Sequence, residues 1–565
     1  IEKSYVSLVG YEKTIKLEPQ SEQKVSIEID PNDFTSYDCY DKNKNEFKGY
    51  ELESGDYELK LMTDSHHLKE MSKNTFALKV EDTIKISKDK VTGAEVSNKF
   101  TYPTAYDGYS LDGNNGDENA NIPFISRNNL PDPYEFKRGE NRKVTASIAK
   151  KVRITQALGD EWDNATTDVF GKEVDKTKEK WGQTNTSYKL AENGRITELG
   201  YELGKNYDDA RWDELLNQLK IGSATNLVGN GYSITKINEI GLPSLSAYDG
   251  PLQIKGYNPG VDGKVGNGYT SNTVLAQTFN KKLALEWGVS YGTDCVNLNV
   301  ASAWAPGTNI HRTPIGGRNF EYYSEDPVLS GYSAAYTVLG ALEGNMAPYI
   351  KHFALNETET LRGSLYTWAT EQNIRENYLR PFEIAVKKGK ANGIMSAFNR
   401  VGSVWAGANH GLLTNILRDE WGFNGSVVTD WMGGAGNAAE GLASGNDLWL
   451  NGAQNMTHNL GSNWSKDVLK ANRVRRACKN ILFQLCNTQY IYNHAENNTG
   501  SGNKIISVNR PKPYWLFAVA GINVILVDLA FVFVYQGFIK KGNDKNEKDL
   551  TEDIDVYTAK DYHPD

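Results

Sequence analysis

Apolar and polar positions alternate along the runs VSLVGYEKTIKL, KVSIEID and YELKLMT near the start of the chain. A period of two sends successive side chains to opposite faces and predicts half-buried strands. The breaks EPQSEQ, DPNDF and ESGD hold turn-forming residues. A β-sandwich over residues 1–90 is the expected element. Over 91–207 the period weakens, and DGNNGDENAN reads as loop. Helical pieces are expected only within Val144–Gln156 and Thr197–Gly204, so 91–207 is read as a linker wrapping over its neighbours.

Across 208–495 helical patterns take over: ARWDELLNQLK, NTVLAQTFNKKLALEWGVSYG, TEQNIRENYLRPFEIAVKKG and ANHGLLTNILRDEWG. Between them stand short apolar runs: LPSLSAYDG, CVNLNVA, APYIKHFA, GIMSAFN and SVVTDWMG. Strands alternating with helices imply a parallel sheet, and the length suits a (β/α)8-type barrel. Asp249, Lys351, His352, Asn399 and Asp430 lie at the ends of those runs, where a barrel builds its site. ANRVRRACKNILFQLCNTQYIY reads as a closing amphipathic helix.

A polar linker, 496–513, leads to YWLFAVAGINVILVDLAFVFVYQGFI at 514–539. About 20 apolar residues cross a bilayer, so this stretch predicts a single transmembrane helix. Tyr514, Trp515 and Tyr535 sit where interfacial anchors belong. Arg510 and Lys512 precede it and Lys540 and Lys541 follow, so charge gives no clear orientation. Asp528 falls inside the span, at a cost on the order of 2.5–3.5 kcal/mol unless protonated or partnered. The acidic tail, 540–565, is expected to stay disordered. The first residue is Ile, and the chain is expected to start partway through a longer product.

Composition narrows the chemistry. A chain of 565 residues has room for about three or four domains. Lys and Arg number 62 against 71 Asp and Glu, a net charge of -9, which argues against a nucleic-acid partner. Cys39, Cys295, Cys478 and Cys486 form no CxxC, and the eight histidines form no HExxH, so no metal site is indicated. No glycine-rich phosphate loop follows a strand. Carboxylates, cations and an aromatic at strand ends remain. Asp430 in SVVTDWMGG is either a nucleophile beside a sugar-stacking Trp431 or the cap of the next helix. Lys351 and His352 both reach a ligand only where their strand ends; otherwise they are a surface Lys and a packed His. Arg312 and Arg318 in NIHRTPIGGRNFEYYSEDP are donors to a ligand or members of a loop ion-pair network. Asp249 in SAYDGP either faces a ligand or starts a turn.

The segments KHFALNETETLR, TEQNIRENYLRPFEIAVKKGKANGIMSAFN, LLTNILRDEWGFNGSVVTDW and RTPIGGRNFEYYSEDP resemble family 3 glycoside hydrolases, the β-glucosidase family, across about Asp208 to Tyr492. LVGYEKTIKLEPQSEQKVSIEID and ESGDYELKL resemble that family's fibronectin-III-like domain. A fibronectin-like domain ahead of the barrel, with ISRNNLP between them, is similar to the circularly permuted arrangement. That arrangement implies an α/β sandwich upstream of Ile1. The resemblance implies a retaining mechanism through a covalent glycosyl-Asp intermediate, without metal or organic cofactor. It implies Asp430 as nucleophile, and Asp249, Arg312, Lys351, His352 and Trp431 as the residues around the sugar. Lys351 and Arg312 are expected to keep Asp430 ionised. The general acid/base, a Glu of the α/β sandwich, is expected upstream. The related branch that uses a loop His reads KHFPGHG, whereas this chain reads KHFALNE. Phe398 stands where the family usually has Tyr. The expected protein is a membrane-anchored β-glucosidase acting outside the cell on oligosaccharides or β-glycosides, with a non-catalytic carbohydrate binder on the same scaffold as the alternative.

Overall fold

A computed structural model describes residues 1–100 apart from 31–32, residues 196–255, and residues 266–493 apart from 403, 432–437, 451–459 and 462. Positions 522, 523, 525, 526 and 529 are also described, and all are helical. The chain divides into two compact units, Ile1–Gly502 and Asn503–Asp565. The expected helix at Val144–Gln156 and most of the 514–539 span lie outside the described residues. Among the described residues no helix is long and apolar enough to cross a membrane.

The N-terminal region is β-rich but departs from a sandwich over 1–90. β1 (Ser36–Asp38), β2 (Gly49–Leu52) and β5 (Ile84–Ile86) form one antiparallel sheet, and β3 (Gly55–Lys60) pairs with β4 (Thr75–Val80) as a separate hairpin. The predicted strands at 6–17 and 24–30 carry no ladder. They lie side by side, with the Ile15 N–H donating to the Gln23 side chain at 2.8 Å. The reason is burial: Val6, Ile15, Leu17, Val25 and Ile27 are all exposed, and only Tyr11 and Leu8 of the first segment pack on the core, so the alternation is not matched by a buried face.

This region is fastened to the rest of the unit by buried charge. Tyr37 is fully buried, and its N–H donates to the Glu376 carboxylate at 2.6 Å. Arg375 lies 4.6 Å from the Tyr37 ring centre. It donates to Glu371 at 2.9 Å, to Glu420 at 2.7 and 3.1 Å, and to the Ser97 carbonyl at 3.0 Å. Burial pushes the Glu376 carboxyl up to about 7 and that of Asp326 to about 6. Such groups hold protons in the folded state that the unfolded chain releases above about pH 4.3. Stability attributable to them therefore falls as pH rises from about 4.3 toward 7. Glu376→Gln removes one of them and keeps an acceptor for Tyr37. Its urea midpoint is expected to exceed that of the wild type increasingly between pH 5 and 8; midpoints that move in parallel would refute this.

The second half of the unit is a curved ring of short strands. β6 (Ser233–Ile234) pairs antiparallel with β7 (Leu245–Asp249), and β7 runs parallel to β8 (Ser302–Trp304), which runs parallel to β9 (Ala347–Pro348). β10 (Ile350–Phe353) follows β9 after Tyr349 and lies parallel to β12 (Gly393–Ser396), itself parallel to β15 (Ser426–Thr429). β11 (Tyr366–Thr367), β13 (Arg400–Val401) and β14 (Val404–Trp405) make a small sheet beyond β10 and β12. Leu448 bridges parallel to Val428, and Trp449 exchanges hydrogen bonds with Val228 (2.8 Å) and Gly231 (2.7 Å), which returns the chain to β6. The expected uniform alternation of parallel strands and helices is thus corrected: β6 pairs antiparallel with β7, and β14 pairs antiparallel with β13. CVNLNVA is a second correction. Cys295–Asn297 finish a helix, and the strand begins at Ser302.

Helices cover the ring. α1 (Lys281–Asn297) packs on α2 (Pro327–Glu343) by direct backbone approach. A Cβ at Gly288 would stand 2.2 Å from the Thr337 carbonyl, and one at Gly340 would stand 2.0 Å from that of Leu285. Only glycine fits there. α2 starts at a side-chain cap: Asp326 accepts from the Val328 and Leu329 N–H groups, and Pro327 takes the first turn. α3 (Val468–Leu485) is the expected closing helix, capped by Asp467. It buries Val474, Ala477, Cys478, Ile481 and Leu482 against Trp212, Leu227 and Trp449. All four cysteines are buried and free.

Candidate active site

The C-terminal ends of β7, β10 and β15 bring Asp249, Lys351, His352 and Asp430 together. The register of β10 on β12 shifts between Lys351 and Phe353, leaving His352 out of the ladder. That irregularity breaks the usual alternation, and Lys351 and His352 both meet groups of the cluster. The Lys351 ammonium is buried and donates to Asp249 at 2.8 Å; Glu321 lies 3.2 Å from it. Burial opposes its charge, but Asp249 and Glu321 together hold it above the ordinary lysine value. Asp249 is half-exposed. Desolvation pushes its carboxyl up, Lys351 pulls it down, and the balance lies below the usual value.

Arg318 is the second cation. Its guanidinium holds Glu321 in a two-point grip at 2.6 and 2.8 Å, and a third nitrogen lies 3.1 Å from His352 Nε2. Arginine only donates, so Nε2 accepts and the proton sits on Nδ1, which faces the Tyr322 hydroxyl at 3.2 Å. Burial, then Arg318, Lys351 and Arg362, hold this imidazole well below its ordinary 6.5, so it is neutral. Asn309 fixes the His352 peptide from both sides, accepting its N–H at 2.6 Å and donating to its carbonyl at 3.0 Å. The same Asn309 amide donates to Glu357 at 2.9 Å, whose carboxyl burial pushes up to about 7.

Asp430 follows β15 directly. Its Oδ1 accepts the Trp431 N–H at 2.7 Å. Its Oδ2 is buried and accepts no hydrogen bond among the described residues. His352 Nε2 stands 3.6 Å away, but that lone pair already accepts from Arg318 and offers no proton. Burial therefore raises the Asp430 carboxyl, outweighing the Trp431 N–H and the Lys351, Arg362 and Arg318 charges that pull it down. Of the two cations expected to keep it ionised, Lys351 does favour the anion, whereas Arg312 is corrected. Arg312 is exposed and donates to the Thr358 hydroxyl, and burial prevails over the cations that are near.

Trp431 is 45% exposed, leaving much of its indole open beside the carboxylate. Phe398, after β12, lies under the Arg362 guanidinium at 4.5 Å. Glu321, Glu359, Arg362 and Asn309 join the site although sequence reasoning named none of them. The signal was present in part, because Glu321 stands three residues from Arg318 and Glu359 three from Arg362, the spacing of a one-turn ion pair. Among the described residues no His, Cys, Asp and Glu cluster could hold a metal ion. The arrangement can place a neutral polyhydroxylated ring among charged hydrogen-bonding groups, an indole and an under-solvated carboxylate.

Comparison with known proteins agrees with that chemistry. Residues 212–474 match the Glycosyl hydrolase family 3 N terminal domain. The chain is 33% identical over 443 residues to β-glucosidase A of Butyrivibrio fibrisolvens, covering 78% of this chain and 49% of that protein. It is 30% identical over 443 residues to a β-glucosidase of Ruminococcus albus, covering 75% of this chain and 39% of that protein. The chain thus spans half or less of the length of these relatives. A solved β-glucosidase structure from Paenibacillus barengoltzii superposes over 87% of this chain and 50% of its own, with a TM-score of 0.62 at 24% identity, which shows a shared fold. Residues 212–474 thus match the N-terminal domain of glycosyl hydrolase family 3, and the chain is similar to β-glucosidases over about three quarters of its own length.

Proposed function

We propose that the chain is the barrel-bearing part of a retaining β-glucosidase that removes β-linked glucose, or a similar sugar, from the non-reducing end of oligosaccharides or glycosides. The observation that carries this reading is the Asp430 carboxylate: at a strand end, with a buried Oδ2 unpartnered among the described residues and the half-exposed Trp431 next to it in the chain. Asp430 attacks the anomeric carbon and forms a glycosyl ester as the glycosidic C–O bond breaks and the departing oxygen takes a proton from the general acid; water then hydrolyses the ester and returns that proton to the same group. Asp249, Lys351, His352 and Arg318 hold the sugar hydroxyls, and Arg312 joins them by turning from Thr358. A retaining site needs a second carboxyl group about 5–5.5 Å from the first. Asp249 and Glu321 are both tied to Lys351, which suits them to binding rather than to proton delivery. The acid/base is accordingly assigned to a Glu of an α/β sandwich upstream in a permuted chain. The B. fibrisolvens match supports that order: its 443 residues do not fit between 212 and 565, so it takes in residues before 212. A membrane anchor at 514–539, with the catalytic part outside the cell, completes the proposal. The described side chains Ile522, Ile525, Leu526 and Leu529 are helical and exposed, as lipid-facing residues are.

The test is covalent trapping. A 2-fluoro-glucoside with an activated leaving group needs little protonation to react, so labelling does not wait on the acid/base. An added glycosyl mass mapped to Asp430 is the expected result. Its rate should decline on the acid side around a midpoint above the ordinary Asp value of about 3.9, because the reactive form is the ionised one and burial raises its pKa. A folded protein that takes no label would sink the enzymatic reading and favour carbohydrate binding.

A further inference from the structure

His352 is held from two directions by one short piece of chain. Asn356 and Glu357, in the loop after β10, reach it by separate relays, and every residue of both relays is buried. The first relay meets the ring. The Asn356 carbonyl accepts the Tyr322 hydroxyl at 3.4 Å, and that hydroxyl lies 3.2 Å from His352 Nδ1. The second meets the peptide. Asn309 Oδ1 accepts the His352 N–H at 2.6 Å, and Asn309 Nδ2 donates to the His352 carbonyl at 3.0 Å and to Glu357 Oε1 at 2.9 Å. Both amide hydrogens of Asn309 are thereby used. Turning that amide over would set its NH2 against the His352 N–H and its oxygen against two acceptors, so the Glu357 carboxylate fixes the orientation that grips the peptide. Packing alone does not call for a carboxyl here. A buried carboxyl without a cation is costly, and an apolar side chain would fill the space at less cost. Among the described residues no Lys or Arg forms an ion pair with Glu357: Arg312 donates to Thr358, and Arg318 and Arg362 turn to Glu359.

We propose that Glu357 is a positioning residue for His352: through Asn309 it fixes the strand-end peptide that carries the imidazole, and so sets how firmly the pocket holds a sugar. The imidazole depends on such support. Its Nε2 stands 3.6 Å from Asp430 Oδ2 and accepts from Arg318, so a small shift of the peptide moves it against both. Ionised Glu357 is the better acceptor, because a charged partner strengthens the bond from Asn309 Nδ2. Its acid form carries an O–H that Nδ2 cannot accept, which weakens the relay. Burial pushes this carboxyl up to about 7, against Asn309, Arg312 and its own N–H, which pull it down. The Tyr322 and Tyr378 phenols also lie near enough to feel its charge. The grip on His352 therefore tightens as pH rises through about 7. The inference rests on the reading of the pocket as a sugar site, and its test separates the two.

Wild type, Glu357→Gln, Glu357→Leu, His352→Ala and the double variant Glu357→Leu, His352→Ala are compared as the full chain. Binding of the neutral, non-hydrolysable phenyl 1-thio-β-glucoside is titrated by calorimetry at pH 5 and pH 8. Glutamine keeps an acceptor for Asn309 and imitates the acid form. Glu357→Gln is therefore expected to bind as the wild type does at pH 5 and about fivefold more weakly at pH 8, the difference between a charge-assisted and a neutral hydrogen bond. Glu357→Leu leaves the Asn309 amide short of an acceptor and is expected to bind about tenfold more weakly than Glu357→Gln at both pH values. With His352 already removed, the Leu substitution should cost nothing further. A Gln variant equal to the wild type at both pH values, or a Leu cost that is the same with and without His352, would overturn the proposal, since a merely structural Glu357 gives those results. The buried thiols of Cys295 and Cys478 stay closed to maleimide in a folded variant. Should Glu357→Leu fail that check, the Gln comparison decides alone. Diethyl pyrocarbonate, mapped by mass, provides an arm that needs no sugar. At pH 8 the labelling of His352 relative to the exposed His67 is expected to rise several-fold in both Glu357 variants, and an unchanged ratio in both would equally overturn the proposal. If the wild type binds no thioglucoside, the functional reading fails, while the labelling of His352 still decides the role of Glu357.

Discussion

Asp430→Gly is expected to lower turnover of an activated aryl β-glucoside by roughly 10⁵-fold or more, the scale on which removing a covalent nucleophile costs an enzyme. The structure gives the reason for so large an effect. No neighbour can take over, because Asp249 and Glu321 are both bound to Lys351 and the His352 Nε2 lone pair is occupied by Arg318. The deletion opens a space where the buried Oδ2 stood, and azide can enter it. Added azide is expected to restore part of the rate and to yield an α-glycosyl azide, because attack comes from the face that Asp430 leaves. A β-configured azide, or an Asp430→Gly protein that matches the wild type, would remove Asp430 from the nucleophile's position. The wild type under the same azide concentration provides the control.

Arg375→Met is expected to have the largest effect on stability. The arginine and both its carboxylate partners, Glu371 and Glu420, are buried. Its removal strands two like charges where water does not reach, and breaking a buried pair on one side costs about 3–5 kcal/mol. Lys99, at 3.8 Å from Glu420, compensates little at that range. The same guanidinium bonds the Ser97 carbonyl and covers the Tyr37 ring, so the N-terminal sheet should loosen first. Urea unfolding followed by the accessibility of peptides around Tyr37 checks this. A midpoint unchanged from wild type would show that the network is neutral to stability. The triple variant Arg375→Met, Glu371→Gln, Glu420→Gln should recover much of the loss, since it removes the stranded charges as well.

The parts of the fold that sequence made legible are those governed by local rules. β7, β10, β12 and β15 fall on the short apolar runs, and polar residues in or just after the ends of β7, β10 and β15 are the ones that meet in the pocket. Alternation misled at 6–17 and 24–30, because a period of two is satisfied by any extended chain and says nothing about whether a second layer covers it. CVNLNVA misled because a buried helix end and a buried strand are both simply apolar. The choice between Arg312 and Arg318 was not legible at all. Both lie in one loop six residues apart, and only the fold shows that Arg318 reaches Glu321 and His352 while Arg312 turns outward to Thr358. The opposing pull on Asp430 was not legible for a related reason: nearby cations can be guessed from a motif, but the depth of burial that works against them cannot.

The four buried thiols make the chain its own recorder of opening. Cys39 lies against Tyr37 and Val96, Cys295 on the buried face of α1 near its end, and Cys478 and Cys486 in and just after α3. Burial pushes the Cys39 thiol up to about 11 and drives the other three higher still, so none reacts while enclosed. Each becomes alkylable only when its own layer parts. The order in which an added maleimide marks them is thus a clock of disassembly, with Cys39 timing the N-terminal sheet, Cys295 the α1 face, and the last pair the closing helix.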